Sequence, residues 1–257
     1  MYLNIKKFTD KMDAGEPCLG SAVTYGDLSI TEALATECDF IWIDLEHSPT
    51  NMESLVGHMI ACRATGTPFL VRIPSGEIGW IKRVLDSGAE GVILPQAKSY
   101  EEIKQFVEAC YYPPTGTRGF GPRRPTDYGR LGGDEYLEHA NREIFVCAQV
   151  ECKAVVEDLD RIVQIRGLDS LCLGPMDLSG SVNKLGKTSD PEVVELIETT
   201  IRKGREAGLY IGMGMPASTD FALNAIQQGV QWCQCGTDME LIVNGANQLY
   251  KGIRSKL

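Results

Sequence analysis

The sequence predicts a single α/β domain, a (β/α)₈ barrel, over residues 1–257. Short β-branched apolar runs alternate with amphipathic stretches at helical spacing, eight of each can be counted, and the length of 257 residues is typical of such a barrel. Strands that alternate with helices pair in parallel through right-handed crossovers. An open doubly wound sheet is the alternative, but no G-x-G-x-x-G motif follows the first strand.

The predicted strands and helices follow one another along the whole chain, without a linker or a low-complexity segment. We expect strands at 18–25, 40–47, 68–74, 91–98, 144–151, 169–175, 210–216 and 230–236. We expect helices at 29–37, 51–66, 79–88, 99–111, 154–167, 191–208, 218–229 and 237–257. Several of these helices are followed by a glycine, which is typical of a left-handed C-cap. The longest connection, 112–143, is rich in glycine, proline and arginine and is predicted to be a functional or disordered loop.

Composition excludes several classes of partner. A formal net charge of −10 argues against nucleic acid and against anionic membranes, and no apolar run approaches the ~20 residues of a membrane helix. The N-terminal stretch has no apolar signal core, and the nine cysteines are scattered without a C-x-x-C pair. We therefore expect a cytoplasmic protein with free thiols. An anionic substrate would need arginines placed locally in its pocket.

Polar residues interrupt the apolar runs at the ends of the predicted strands, which is where barrel enzymes carry their chemistry. The stretch FIWIDLEHSP ends its strand with Asp44, Glu46 and His47. The other strand ends supply Arg72, Gln96, Lys98, Gln149, Glu151 and Asp177. We expect these side chains to meet at one mouth of the barrel.

Two of these residues suggest a metal site. Glu151 and Asp177 come from adjacent strand ends, and such a pair suits a hard cation that keeps several waters, Mg²⁺ or Mn²⁺. With three histidines in the chain and only one at a strand end, a three-histidine zinc centre is excluded. The alternative is that both carboxylates are helix caps or ion-pair partners.

Arg72 and His47 are the other candidates for chemistry. Arg72 lies in an apolar strand, where a guanidinium needs a partner: a bound carboxylate or, alternatively, a structural ion pair. His47 has Asp44 and Glu46 nearby to orient its imidazole. Strict alternation would place Asp44 and His47 on opposite faces, so the chain must turn between them.

At these residues the sequence resembles the metal-dependent (class II) 2-oxo-acid aldolases typified by 4-hydroxy-2-oxoheptanedioate aldolase, within the phosphoenolpyruvate/pyruvate-binding barrel superfamily. The similarity covers roughly residues 15–250. Five blocks carry it: FIWIDLEHSP, VRIPSGEIGWIKRVLDSGAEGVILPQAKSYEE, YYPPTGTRGFGP, QVECKAVVEDLD and LDSLCLGPMDLSGS. The resemblance implies reversible aldol cleavage of a 4-hydroxy-2-oxo acid to pyruvate, or a close 2-oxo acid, and an aldehyde through an enolate.

The resemblance also implies a role for each site residue. Glu151 and Asp177 are expected to hold the divalent ion, Mg²⁺ or Mn²⁺ with Co²⁺ as a further option. Arg72 is expected to hold the enolate, and His47, supported by Asp44, to be the acid–base residue. The expected substrate contacts are Gln149, the backbone of Gly174, Pro175 and Met176, and Arg123, which with Arg124 would read a second acidic group.

Further expectations concern the assembly and the aldehyde side. The resemblance implies a homo-oligomer, a trimer or hexamer, in which Asp86 approaches a neighbouring subunit's site and the last helix, 237–257, packs on another protomer. Met213 and Met215 are expected to line the aldehyde side.

Three rival functions stay open. An imine-forming aldolase needs a lysine in a strand near the pocket, and only Lys98 is placed to supply it. A Claisen-type or decarboxylating enzyme that uses oxaloacetate is favoured by Leu45, since the aldolases of this family mostly have glycine at that position. A non-catalytic binding barrel is the third.

Overall fold

The structure is a computed structural model that describes residues 4–257. Its strands are β1 (Cys18–Val23), β2 (Phe40–Asp44), β3 (Phe69–Arg72), β4 (Gly91–Leu94), β5 (Phe145–Val150), β6 (Ser170–Leu173), β7 (Tyr210–Met215) and β8 (Trp232–Thr237). Its helices are α1 (Ile5–Asp13), α2 (Leu28–Ala35), α3 (Met52–Thr65), α4 (Ile78–Asp86), α5 (Tyr100–Cys110), α6 (Gly133–Glu143), α7 (Lys153–Glu157), α8 (Leu159–Ile162), α9 (Pro175–Ser181), α10 (Pro191–Glu206), α11 (Thr219–Gln227) and α12 (Asp238–Arg254).

The eight strands close into a parallel barrel. Each strand pairs with the next along the chain, and β8 pairs with β1. The (β/α)₈ fold is therefore confirmed. Its register matters for the site, because Asp44 is paired with Arg72 across β2 and β3, and Gln149 with Cys172 across β5 and β6. Side chains at the ends of β2, β3 and β5 thus face the same opening of the barrel.

The helices depart from the predicted pattern in the 112–143 connection. Its second part forms α6, which buries Tyr136 and Ala140 and has Asp134 and Glu135 in its first turn, favourable positions for the helix dipole. This helix was not predicted, because the first part of the connection is rich in glycine and proline. The helix predicted at 154–167 is also divided, into α7 and α8, and α1 and α9 are additional.

Aromatic side chains fill the lumen at the N-terminal ends of the strands. Phe8 of α1 packs its ring edge-on against Phe145, with ring centroids 5.4 Å apart, and against Trp232 at 5.9 Å. Gly212 makes room for this cluster, since a Cβ there would overlap the Trp232 ring. This end of the lumen is therefore a packed core covered by α1, and barrel enzymes carry their chemistry at the other end, at the C-terminal ends of the strands, the mouth of the barrel.

The prediction that Met213 and Met215 line the aldehyde side is wrong. Met213 and Met215 are buried in the layer between strands and helices, because alternation along β7 directs Gly212 and Gly214 into the lumen instead. They cannot line the aldehyde side of the mouth.

Helix α12 is unlike the other long helices of the described chain. Of its residues only Asp238 is buried, while apolar side chains along its length are exposed, among them Ile242, Leu249, Tyr250 and Ile253. In residues 4–257, no helix combines the length and the apolar character that crossing a membrane requires.

Candidate active site

The end of β2 makes a turn around its own carboxylate. Asp44 is 2% exposed, and its Oδ1 accepts hydrogen bonds from the backbone N–H groups of Glu46 at 2.9 Å and His47 at 3.4 Å. The hydroxyl of Ser48 donates to the backbone carbonyl of Asp44. The chain therefore turns directly after the strand, as the positions of Asp44 and His47 in the sequence required.

Arg72 is fixed by a two-pronged ion pair. Its Nε lies 2.9 Å from Oδ1 of Asp44 and its Nη2 lies 2.6 Å from Oδ2. Its Nη1 lies 3.0 Å from Oε2 of Glu46 and 3.5 Å from Oε1 of Gln149. Burial by itself would lower the pKa of Arg72, but the hydrogen bonds and charge of Asp44 outweigh it and the pKa is raised. A permanently charged, rigidly held guanidinium thus sits at the mouth, and the structural ion pair is present.

His47 projects from the turn into solvent. Its ring is 64% exposed, and its Nε2 lies 3.5 Å from Oε2 of Glu46. The hydrogen bond from His47 to Asp44 is donated by the backbone N–H, and the carboxylate beside the imidazole is that of Glu46. Burial raises the pKa of Glu46; Arg72 opposes this, while Asp44 and Asp177 add to it. Glu46 therefore links Arg72 to His47.

Glu151 follows β5 and is 5% exposed. Its Oε2 accepts the backbone N–H of Gln96 at 2.7 Å, and its Oε1 accepts the side-chain amide of Gln149 at 3.1 Å. Burial raises the pKa of Glu151 to about 7; the Gln96 N–H opposes the shift, and the charges of Glu46 and Asp177 add to it. The three carboxylates are thus within electrostatic reach of one another.

The backbone at Gln96 is held in an unusual conformation. Its φ of 55° lies in the left-handed region, which a residue with a side chain adopts at an energetic cost. This conformation directs its N–H at Glu151. The sequence predicts Gln96 at a strand end but carries no signal for this contact, because φ depends on tertiary packing.

Asp177 lies on the exposed side of the first turn of α9. The preceding Gly174 packs against Glu151: a Cβ at Gly174 would lie 2.7 Å from Oε1 of Glu151. The backbone from Gly174 through buried Pro175 to exposed Met176 therefore borders the same opening as Glu151. Glu151 itself is bonded to two amides and caps no helix, whereas a carboxylate at Asp177 also suits the helix dipole.

The donor set fits a divalent cation of the magnesium type. Within residues 4–257 no group of three or more histidine, cysteine, aspartate or glutamate side chains could hold a metal ion by itself. Mg²⁺ and Mn²⁺ are commonly held by one or two carboxylates and complete their shells with water and substrate oxygens. Glu151 and Asp177 could form such a site, because a cation would relieve the repulsion that now adds to the raised pKa of Glu151.

Asp86 and Arg123 lie elsewhere in the chain. Asp86 ends α4, which runs from the mouth back toward the start of β4, so it lies at the opposite end of the barrel from Arg72. Its Oδ1 accepts a hydrogen bond from Nη2 of Arg118 at 2.8 Å. Arg123 borders the same groove between α3 and α4. The structure therefore brings neither residue to this chain's own mouth.

Comparison with known proteins decides the family. The model of the protein family described as "HpcH/HpaI aldolase/citrate lyase" matches residues 26–245. The chain belongs to this family. It is an aldolase, a carbon–carbon lyase, as the sequence resemblance implied.

Similar proteins cover nearly the whole chain. The hydroxypyruvate/pyruvate aldolase of Agrobacterium fabrum is 30% identical over 253 residues, which are 96% of this chain and 94% of that protein. The 2-keto-3-deoxy-L-rhamnonate aldolase of Escherichia coli K12 is 31% identical over 244 residues, 94% of this chain and 90% of that protein.

Solved structures agree with this relationship. An HpcH/HpaI aldolase from Desulfitobacterium hafniense superposes with a TM-score of 0.88 at 29% identity and covers 96% of both chains. The citrate synthase SbnG superposes with a TM-score of 0.84 at 27% identity, over 96% of this chain and 97% of that one.

Proposed function

We propose that this aldolase reversibly cleaves a 4-hydroxy-2-oxo acid into pyruvate, or a close 2-oxo acid, and an aldehyde, with Mg²⁺ or Mn²⁺ bound by Glu151 and Asp177. The observation that carries the proposal is that the buried carboxylate of Glu151, the exposed carboxylate of Asp177 and the guanidinium of Arg72 lie at one mouth. The name of the Agrobacterium relative, a hydroxypyruvate/pyruvate aldolase, supports pyruvate as the 2-oxo acid.

Charge stabilisation is the main demand of this reaction, because carbon–carbon cleavage next to a ketone leaves negative charge on an enolate oxygen. A divalent ion bound at Glu151 and Asp177 would neutralise part of that charge. Arg72 supplies a second, preorganised positive charge, which Asp44 holds in place by two hydrogen bonds. Gln149 and the backbone from Gly174 to Met176 border the space for the carboxylate end of the substrate.

Proton transfer falls to His47 in this proposal. An exposed imidazole beside the mouth can take the proton of the aldol hydroxyl, and the adjacent Glu46 carboxylate would stabilise the imidazolium that forms. General acid–base catalysis of this kind contributes ~10²–10⁴ in rate. We assign Asp44 to orient Arg72 and the turn that carries His47, rather than to the imidazole itself.

The acceptor side would be completed by another subunit. We propose a cytoplasmic homo-oligomer, a trimer or hexamer, in which Asp86 and Arg123 serve a neighbouring subunit's mouth. Their position at the far end of their own barrel supports this, since they cannot reach the mouth of the same chain. The exposed apolar side chains of α12 support packing of that helix on a second protomer.

Two rivals are less well supported. None of the described strands β1–β8 contains a lysine, and Lys98 lies in the turn after β4, where its backbone N–H donates to Glu102. Imine formation at a strand therefore has no candidate residue. A Claisen-type or decarboxylating reaction with oxaloacetate is favoured by the similarity to the citrate synthase, and coenzyme A dependence or release of citrate would identify it.

The deciding experiment is deuterium exchange at the methyl group of pyruvate, followed by NMR, with Mn²⁺ and with chelator alone. We expect exchange only with the metal, because enolate formation needs no aldehyde. A panel of aldehydes then identifies the acceptor. If exchange occurred neither with Mn²⁺ nor with Mg²⁺, the result would contradict the proposal and favour a binding barrel.

A further inference from the structure

Arg72 is held along its edges by carboxylates and an amide, but one of its faces rests on an aromatic ring. The guanidinium carbon lies 5.2 Å from the ring centroid of Trp42. Trp42 is on β2, two residues before Asp44, so both side chains project to the same side of the strand. The residue that stacks on Arg72 and the residue that forms its ion pair therefore come from one short strand.

Trp42 is a costly choice for a residue that only fills space. It is 2% exposed, and its indole Nε1 is buried without a hydrogen-bond partner in the described part of the chain. The neighbouring Trp232, whose ring centroid is 6.0 Å away, donates its Nε1 to the hydroxyl of Ser170 at 3.0 Å. A buried donor without a partner costs free energy that phenylalanine at this position would avoid.

We propose that Trp42 is a positioning residue: its ring supports the guanidinium of Arg72 from the lumen side and holds it where it can contact the enolate. Tryptophan presents the most favourable ring face to a cation, which explains an indole whose N–H is left unpaired. Beneath it, the aromatic cluster around Trp232 keeps the ring from moving down into the lumen. This inference rests on the proposed function, because it assigns Arg72 to the enolate.

The test is Trp42→Phe in the metal-loaded protein, assayed by pyruvate deuterium exchange. We expect kcat to fall about tenfold, because the smaller phenyl ring is a weaker cation–π partner and leaves the guanidinium freer to move, with little change in KM for pyruvate. The melting temperature should stay the same or rise, because the unpaired N–H is removed. An unchanged kcat would overturn the proposal.

A matched control is available on α4. The half-buried ring of Trp80 has the guanidinium of Arg83 above it, at the same distance of 5.2 Å from the ring centroid. Trp80→Phe should leave exchange unchanged, which separates the effect of position from that of losing any Arg–Trp contact.

A double-mutant cycle distinguishes positioning from general packing. In an Arg72→Gln background, which has no cation at this position, Trp42→Phe should cause no further loss of rate, because the partner of the ring is already gone. A further tenfold loss would overturn the proposal. If Trp42→Phe does not fold, the Nε–H proton signal of Arg72, assigned by its loss in Arg72→Lys, should show a ring-current shift in the wild type; no shift would contradict the stacking. Wild-type protein without any exchange would instead refute the proposed function.

Discussion

The two ends of the barrel each bury a glutamate whose pKa is raised to about 7, yet only one end has the features of an active site. Glu151 at the mouth is 5% exposed and Glu90, just before β4 at the opposite end, is 1% exposed; in both cases burial is the main cause of the shift. What differs is the surroundings. Glu90 faces a cation, with Nε of Arg63 3.9 Å from its Oε1.

Glu151 faces Arg72 but also two other acids. The charges of Glu46 and Asp177 raise its pKa further, in a site that opens to solvent at His47 and Asp177. A raised pKa therefore reports burial, and it indicates function only where like charges converge on an accessible space. The following predictions test whether this difference separates the two glutamates.

The largest effect is expected at the mouth. Glu151→Gln and Asp177→Asn should each reduce metal-dependent turnover by roughly 10³-fold or more, because each removes a charged ligand of the proposed cation. The fold should be intact by circular dichroism. Mn²⁺ should raise the melting temperature of the wild type but not of either variant.

Glu90→Gln is the matched control for this prediction. It removes a carboxylate of similar burial and similar pKa at the opposite end, so turnover should persist. Wild-type turnover in both mouth variants would contradict the metal assignment.

Arg72 should show the second largest effect. Arg72→Lys keeps the charge but cannot reproduce the two hydrogen bonds to Asp44, so we expect a loss of ~10²–10³ in kcat, as for removal of a preorganised oxyanion partner. Steady-state kinetics of aldol cleavage would measure it. A variant that lost affinity for the 2-oxo acid at unchanged kcat would show that Arg72 binds the substrate but does not stabilise the enolate.

The sequence predicted much of this mouth because its signals are local. The apolar run that ends at Asp44, the guanidinium of Arg72 in an apolar strand and the carboxylate of Glu151 each mark a strand end, and the parallel topology brings strand ends together. The same reasoning could not place Asp86 and Arg123. Their positions depend on which end of the barrel α4 and the 112–132 segment reach, and the linear pattern does not show this.

Contacts that depend on tertiary geometry were also out of reach. The left-handed backbone of Gln96 and the ring of Trp42 beneath Arg72 arise from packing between strands. The prediction for Met213 and Met215 was wrong for a simpler reason. Side chains of β7 alternate between the lumen and the outer layer, so a shift of one residue reverses the face on which each lies. The residue types were thus readable from the sequence, while the orientation of each side chain was not.

The smallest effect, and the sharpest contrast between the two ends, concerns stability. The pKa of Glu90 is raised from 4.5 to about 7, so the folded state binds its proton more tightly than the unfolded state. Ionisation therefore costs stability progressively as the pH rises from 4.5 to 7, and the full cost applies above pH 7. Glu90→Gln removes this cost. We expect the variant to be more stable than the wild type by roughly 1–3 kcal/mol at alkaline pH and equal to it at acidic pH.

Urea unfolding of the metal-free proteins at both pH values would measure this difference. If Glu90→Gln were less stable at alkaline pH, the ion pair with Arg63 would outweigh burial, and Glu90 would be a stabilising ion-pair partner instead of an uncompensated charge. Glu151→Gln should show the same gain in stability as the pH rises, but with turnover lost, since burial acts alike on both carboxylates. Stability would then follow burial at both ends of the barrel, whereas activity would follow only the carboxylate that faces other acids.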